Sequence, residues 1–192
     1  MCKKNRNILS GLDFKLIPFS NREEEASYIL THFGEQIDLI AALYDEDFLE
    51  LYNCQALLLE EVTLDLAIPD NHPLFQKTLI KPEDLKNYGI TLPQKGICSI
   101  YDKTWDYLIK LLGHDKVRNG GFRNLEYYNR NYIQNQICIA LKQWDSPHPL
   151  FAIKPFDLPF KGKFGILYSS QPSETVKKFI NAIASNVASH NV

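Results

Sequence analysis

The sequence predicts an α/β fold with a mainly parallel sheet, and three observations carry that expectation. Short apolar runs of strand type alternate with stretches of helical period along the whole chain. Residues 37–43 are apolar throughout except at Asp38, which suits a strand covered on both faces. A second apolar run, residues 14–19, precedes it with one helical stretch between, the pattern of a strand–helix–strand unit.

Taken in order, residues 14–19 read as a strand. Ser20 and Glu23 then form a capping box for a helix with Ala26, Ile29, Leu30 and Phe33 on one face, and Gly34 ends it. Residues 37–43 are the next strand. Residues 55–62 and 63–69 are β-rich and lead to a turn at 70–73. Pro82 suits a first helical position, with Glu83 and Asp84 at the positive end of the dipole, so 81–88 reads as a short helix. A short strand at 90–92 follows. Ser99 caps a helix carrying Tyr101, Trp105, Leu108 and Leu112 on one stripe, with Gly113 as its stop. Asn119-Gly120-Gly121 marks a turn, and 125–134 reads as a helix ended by Asn135, a residue that tolerates the left-handed conformation. Strands at 137–141, 150–153 and 162–168 come next, the last two separated by the proline-bearing 155–159. An amphipathic helix from Ser173 closes the chain, with Val176, Phe179, Ile180, Ile183 and Val187 on one face.

Composition bounds the function. With 192 residues, 45% of them hydrophobic and 23% charged, the chain can bury a real core. A net charge of -2 with both signs interspersed offers no basic stripe for phosphate neutralisation, so this chain is not expected to bind DNA. Apolar stretches such as 39–44 and 56–59 are far too short to cross a bilayer. Lys3, Lys4 and Arg6 precede no apolar run of secretory type, and a cytoplasmic location is expected. Cys2, Cys54, Cys98 and Cys138 are widely spaced and read as buried free thiols, disulfides being the alternative. His32, His72, His114, His148 and His190 lack metal-ligand spacing, and neither metal nor cofactor is expected. No nucleophile elbow or phosphate loop is present, and the chain is read as a non-enzyme.

The order of motifs carries a resemblance. Ile37-Asp38-Leu39-Ile40-Ala41 is followed by Leu58-Leu59-Glu60-Glu61-Val62-Thr63-Leu64, then by Leu66-Ala67-Ile68-Pro69-Asp70-Asn71-His72-Pro73-Leu74 and Ile80-Lys81-Pro82-Glu83-Asp84-Leu85. Asn124-Leu125-Glu126, Ile139-Ala140-Leu141 and Gly165-Ile166-Leu167-Tyr168 complete the series. In this order and spacing they resemble the effector-binding domain of LysR-type transcriptional regulators, from about Asp13 to the last helix. Two features depart from that pattern: the strand and helix that usually open the domain, with the DNA-binding helix-turn-helix before them, have no counterpart here, and Asn135, Gln136 and Ile137 replace the usual glycines before Ile139. Met1 to Arg6 can be the tail of that opening helix, in a fragment, a product of an internal start or a degenerate regulator.

The resemblance implies a two-lobed fold of the type 2 periplasmic-binding-protein kind with mixed, mainly parallel sheets. Its first lobe would comprise residues 1–72 and 162–192 and its second 73–161, with crossings near 68–73 and 159–164. It implies a small anionic effector held between the lobes, control of transcription through a helix-turn-helix absent from this chain, and a homodimer built on the 20–33 helix and the Trp105 helix, with a free sheet edge filled by 8–11 or by a neighbouring chain. The alternatives are a transporter's solute-binding protein and a truncated regulator acting only as a dimerisation partner.

Candidate contacts follow from position. Gln94, Lys95 and Gly96 lie in a loop leading to the Ser99 helix, where backbone N–H groups and the Lys95 ammonium can hold a carboxylate or phosphate; a plain surface loop is the alternative. Arg123 and Asn124 open the next helix, where Asn124 can serve as ligand contact or as N-cap. Tyr44, past the 37–43 strand, can close the cleft from the other lobe or simply pack. Tyr127, Tyr128 and Tyr132 are read as core packing ahead of a pocket wall, and Glu23-Glu24-Glu25 as a solvated first turn.

Overall fold

Two sheets and the two passages between them organise the chain in a computed structural model that describes residues 13–17, 23–121, 124–144 and 148–190. The first sheet has the order β1-β8-β2: β1 (Leu39–Tyr44) and β2 (Cys54–Val62) flank β8 (Gly162–Ser169), both antiparallel to it. The second has the order β5-β4-β6-β3-β7, formed by β3 (Asp65–Pro69), β4 (Ile90–Leu92), β5 (Val117–Asn119), β6 (Ile137–Ala140) and β7 (Phe151–Lys154). Here β4 runs parallel to β5 and β6, while β3 runs antiparallel to β6 and β7. The second sheet is thus mixed and the first wholly antiparallel, less parallel than the strand–helix alternation predicts, because β8 runs opposite to both its neighbours and β3 runs opposite to β6 and β7.

Side-chain alternation explains why the strand sequences look continuously apolar. On one face of the second sheet Leu66, Ile68, Ile137 and Ile139 join the core with Ile100, Tyr101 and Leu108 of α3 (Ser99–Leu112). On the other, the smaller Ala67, Cys138 and Ala140 make room for Tyr127 and Tyr128 of α4 (Leu125–Ile133). Both faces are buried, so both must be apolar. In the first lobe, Leu30 and Phe33 at the end of α1 (Glu23–Thr31) and Phe48 of α2 (Glu46–Leu51) pack with Tyr44, Cys54 and Leu167. The terminal α5 (Glu174–His190) buries Val176 and Ile180, and Ser173 accepts at its opening from the N–H groups of Val176 and Lys177.

The chain passes from the first sheet to the second between Val62 and Asp65, with Leu64 fully buried. That is earlier than the expected crossing at 68–73, since β3 is a strand of the second sheet, lying between β6 and β7. The return runs from Lys154 to Gly162, reaching β8 within the expected 159–164. Leu43, Val62 and Phe164 of the first sheet belong to the same core as the apolar face of the second. Asp65 anchors the first passage by accepting the Lys142 N–H at 2.8 Å, and burial pushes its carboxyl above the ordinary value.

Other expectations change. Residues 14–17 form no strand, and the rest of that run lies outside the described residues. Phe14 instead sets its ring edge-on to Phe179 of α5, while Leu16 is 93% exposed, and an apolar run without a neighbouring strand to pair with has no ladder to join. Pro82–Asn87 is a 3-10 helix, with Asp84 reaching back to the Lys81 N–H at 3.0 Å. Helix α2 and strand β5 went unpredicted. Ser20, Cys2 and residues 8–11 lie outside the described residues, and Cys54, Cys98 and Cys138 are buried free thiols.

Candidate functional site

The parallel strands β4 and β5 end on the same side of the second sheet, and the helices that follow them leave on opposite faces, α3 on one and α4 on the other. Such a point opens a crevice beyond the carboxyl ends of the strands. At that end lie residues 93–98, before α3, and Gly120 and Gly121, after β5; the Gly120 N–H donates to the Leu92 carbonyl at 2.9 Å and joins the two strand exits. Gly120 has no alternative in this place, because a Cβ would lie 2.3 Å from Thr91 Cγ2 and 2.4 Å from Tyr127 Cε2.

In the first loop, the Trp105 indole donates to the Pro93 carbonyl at 2.6 Å and pins the exit of β4. Gln94 and Lys95 are exposed. The Lys95 ammonium is paired with Asp106 of α3. Gly96 takes φ +85°, and its N–H donates to the Asp102 carboxylate at 2.9 Å. Ser99 is the first residue of α3, with Cys98 in the capping position, so the expected Ser99 cap is displaced by one residue; the Cys98 side chain makes no capping bond. The Ser99 N–H is taken instead by the carboxylate of Asp45, from the other lobe.

Asp45 therefore holds two helices. One oxygen accepts the Phe48 N–H at 2.9 Å as the N-cap of α2, and the other accepts the Ser99 N–H. Burial works to raise its pKa, but the donors, led by the Ser99 and Phe48 N–H groups, outweigh it and hold the carboxyl below its ordinary value. Next to it, burial above all, with the Asp45 charge adding to it, pushes the Cys98 thiol up to about 12.

Tyr44, one residue before Asp45, is buried with Phe48, Cys54 and Leu167, its ring lying where a side chain on Gly165 would be. Burial raises its phenol, with Lys163 opposing and Glu46 adding. At the second loop, Asn124 accepts the Tyr127 N–H at 2.9 Å and caps α4; Arg123 lies outside the described residues. Of these residues only Ser99 meets the first lobe, through Asp45; Lys95 and Gly96 bond to α3 itself, Tyr44 packs in the first-lobe core, and Asn124 caps α4. Tyr127 and Tyr128 are core residues, and the Tyr132 hydroxyl donates to Asp70 at 3.0 Å.

The sequence reading missed Asp45. Its local role was readable, since Asp45-Glu46-Asp47 after a strand is a helix-opening pattern. Its second role was not, because Ser99 is 54 residues away.

No protein-family model matches the sequence, and no curated protein matches it either. Solved structures do. The effector-binding domain of QuiR in complex with shikimate aligns over 96% of this chain and 88% of that one, at 14% identity and TM-score 0.65. The BenM effector-binding domain with benzoate aligns over 98% and 84%, at 14% identity and TM-score 0.58. CbnR, a LysR family transcriptional regulator, aligns over 95% of this chain and 63% of that one, at 12% identity and TM-score 0.60. The chain has the two-lobed α/β fold of these effector-binding domains, of the type 2 periplasmic-binding kind.

Proposed function

We propose that this chain is the effector-sensing domain of a LysR-type transcriptional regulator and binds a small anionic metabolite in the crevice between its lobes. The observation that carries the reading is the alignment, over nearly the whole chain, with effector-binding domains that hold shikimate and benzoate, two small carboxylates. The crevice supports it physically: helices α3 and α4 both open beside it, and the first-turn N–H groups of a helix favour negative charge. Lys95, Gly96, Ser99 and Asn124, with Gln94 and Arg123, are the proposed contacts, and Tyr44 the wall from the first lobe. The domain is a binding module without catalysis, works in the cytoplasm as a homodimer, and meets DNA only through a separate helix-turn-helix domain.

The test is nuclear magnetic resonance mapping of the full chain against a panel of small aromatic and aliphatic carboxylates and phosphorylated acids. Saturable shifts confined to residues 93–99, 44–46 and 120–124 are expected for at least one compound. A panel without saturable binding, or one whose shifts fall elsewhere on the surface, would sink the reading. Sedimentation over a range of concentrations tests the homodimer, which a strict monomer would exclude.

A further inference from the structure

The α3 N-terminus already holds an anion, and the anion belongs to the protein. Two backbone donors converge on the Asp45 carboxylate, the N–H groups of Phe48 and Ser99. They come from α2 and α3 backbones that sit on different sheets, so the carboxylate is a tie between lobes. The lobes are close there for a second reason: a Cβ on Gly162, at the start of β8, would lie 2.8 Å from Ile100 Cδ1, one residue into α3 from Ser99. Two other donors of the loop are held by carboxylates of α3 itself, Gly96 by Asp102 and Lys95 by Asp106.

We propose that Asp45 is a built-in occupant of the α3 N-terminus that latches the two lobes in the free protein, so that an anion from solution reaches the Ser99 N–H only by displacing it. The proposal rests on the effector-sensing reading for its biological use, though not for its chemistry. A carboxylate tethered by its own chain competes at an effective concentration of ~mM or above, which shuts out simple anions at low concentration. An effector with further contacts in the crevice can win the exchange, and winning it releases α2 and the first lobe from α3. Ligand binding and lobe movement are then one event, since the ligand replaces the contact that held the lobes together.

The experiment follows the Ser99 amide resonance in the 15N-labelled chain and in Asp45→Asn, with sodium sulfate titrated against sodium chloride at matched ionic strength. Asparagine keeps the size and the Phe48 cap but offers no charge to α3. Sulfate should shift the Ser99 amide saturably in Asp45→Asn, with a midpoint at least tenfold lower than in the parent chain. Equal midpoints, or an unresponsive variant, would overturn the proposal. Ser99→Pro provides the independent arm: proline is tolerated at the first helical position, Cys98 already has the extended φ -163°, ψ 139° that a following proline requires, and the donor is removed. In urea unfolding the double variant should lose clearly less than the sum of the single losses, and simple additivity would contradict the latch. If the latch holds while the metabolite panel finds no ligand, the effector reading alone has failed.

Discussion

Helices α3 and α4 start at the same end of the same sheet, yet their N-termini are closed in opposite ways. For α4 the cap is local, with Asn124 accepting the N–H of Tyr127 three residues on. For α3 the capping position is Cys98, whose side chain caps nothing, and the acceptor arrives from the other lobe as Asp45. A local cap stabilises one helix, whereas a remote cap also ties that helix to whatever carries it. The comparison separates a helix start held within its own loop from one that can report a change of lobe geometry.

The largest effect on this comparison is expected at the α4 side of the crevice, where packing is tightest. Gly120→Ala forces a methyl to within 2.3 Å of Thr91 Cγ2 and 2.4 Å of Tyr127 Cε2, and should cost about 3 kcal/mol in urea unfolding. Asp45→Ala comes next, at about 2 kcal/mol, because it removes the α2 cap and the charged acceptor of Ser99 together. Gly96→Ala meets nothing within 4 Å and carries only the strain of φ +85°, about 1.5 kcal/mol. Asn124→Ala should cost about 1 kcal/mol. The loss at Asp45 should shrink when a bound ligand that spans the lobes takes over the Ser99 N–H.

The contrast between the two caps also marks where sequence reading reaches its limit. Asn124 as N-cap, Asn135 in the left-handed conformation at φ 51° and the strands β4, β6 and β8 follow from rules that span a few residues. Strand β5 was hidden because Val117–Asn119 is a three-residue strand whose Arg118 and Asn119 are exposed, leaving no apolar run to see. Residues 14–17 misled for the opposite reason: pairing decides a strand, and pattern alone cannot supply a partner. The early crossing at Val62–Asp65 was obscured because 63–69 reads as one β-rich segment ending in the 70–73 turn, and the Lys142 N–H that the buried Asp65 carboxylate accepts is 77 residues away. At the candidate site, the loop and its helix were legible from Pro93 to Ser99, but the carboxylates that occupy its donors were not, since Asp45 lies far away in sequence and Asp102 and Asp106 look like ordinary helix-surface charges.

The pH dependence of Asp45 tests the account most directly. Its folded pKa is depressed, so its contribution to stability is in place above the ordinary carboxylate value of about 3.9 and is lost as the pH falls through the lower folded value. Carbon-13 titration of the Asp45 carboxyl, read together with the Ser99 amide, should give one shared midpoint clearly below that of exposed aspartates in the same chain. An Asp45 midpoint at the ordinary value, or a Ser99 amide that ignores it, would mean that α3 and the first lobe are not joined by this carboxylate.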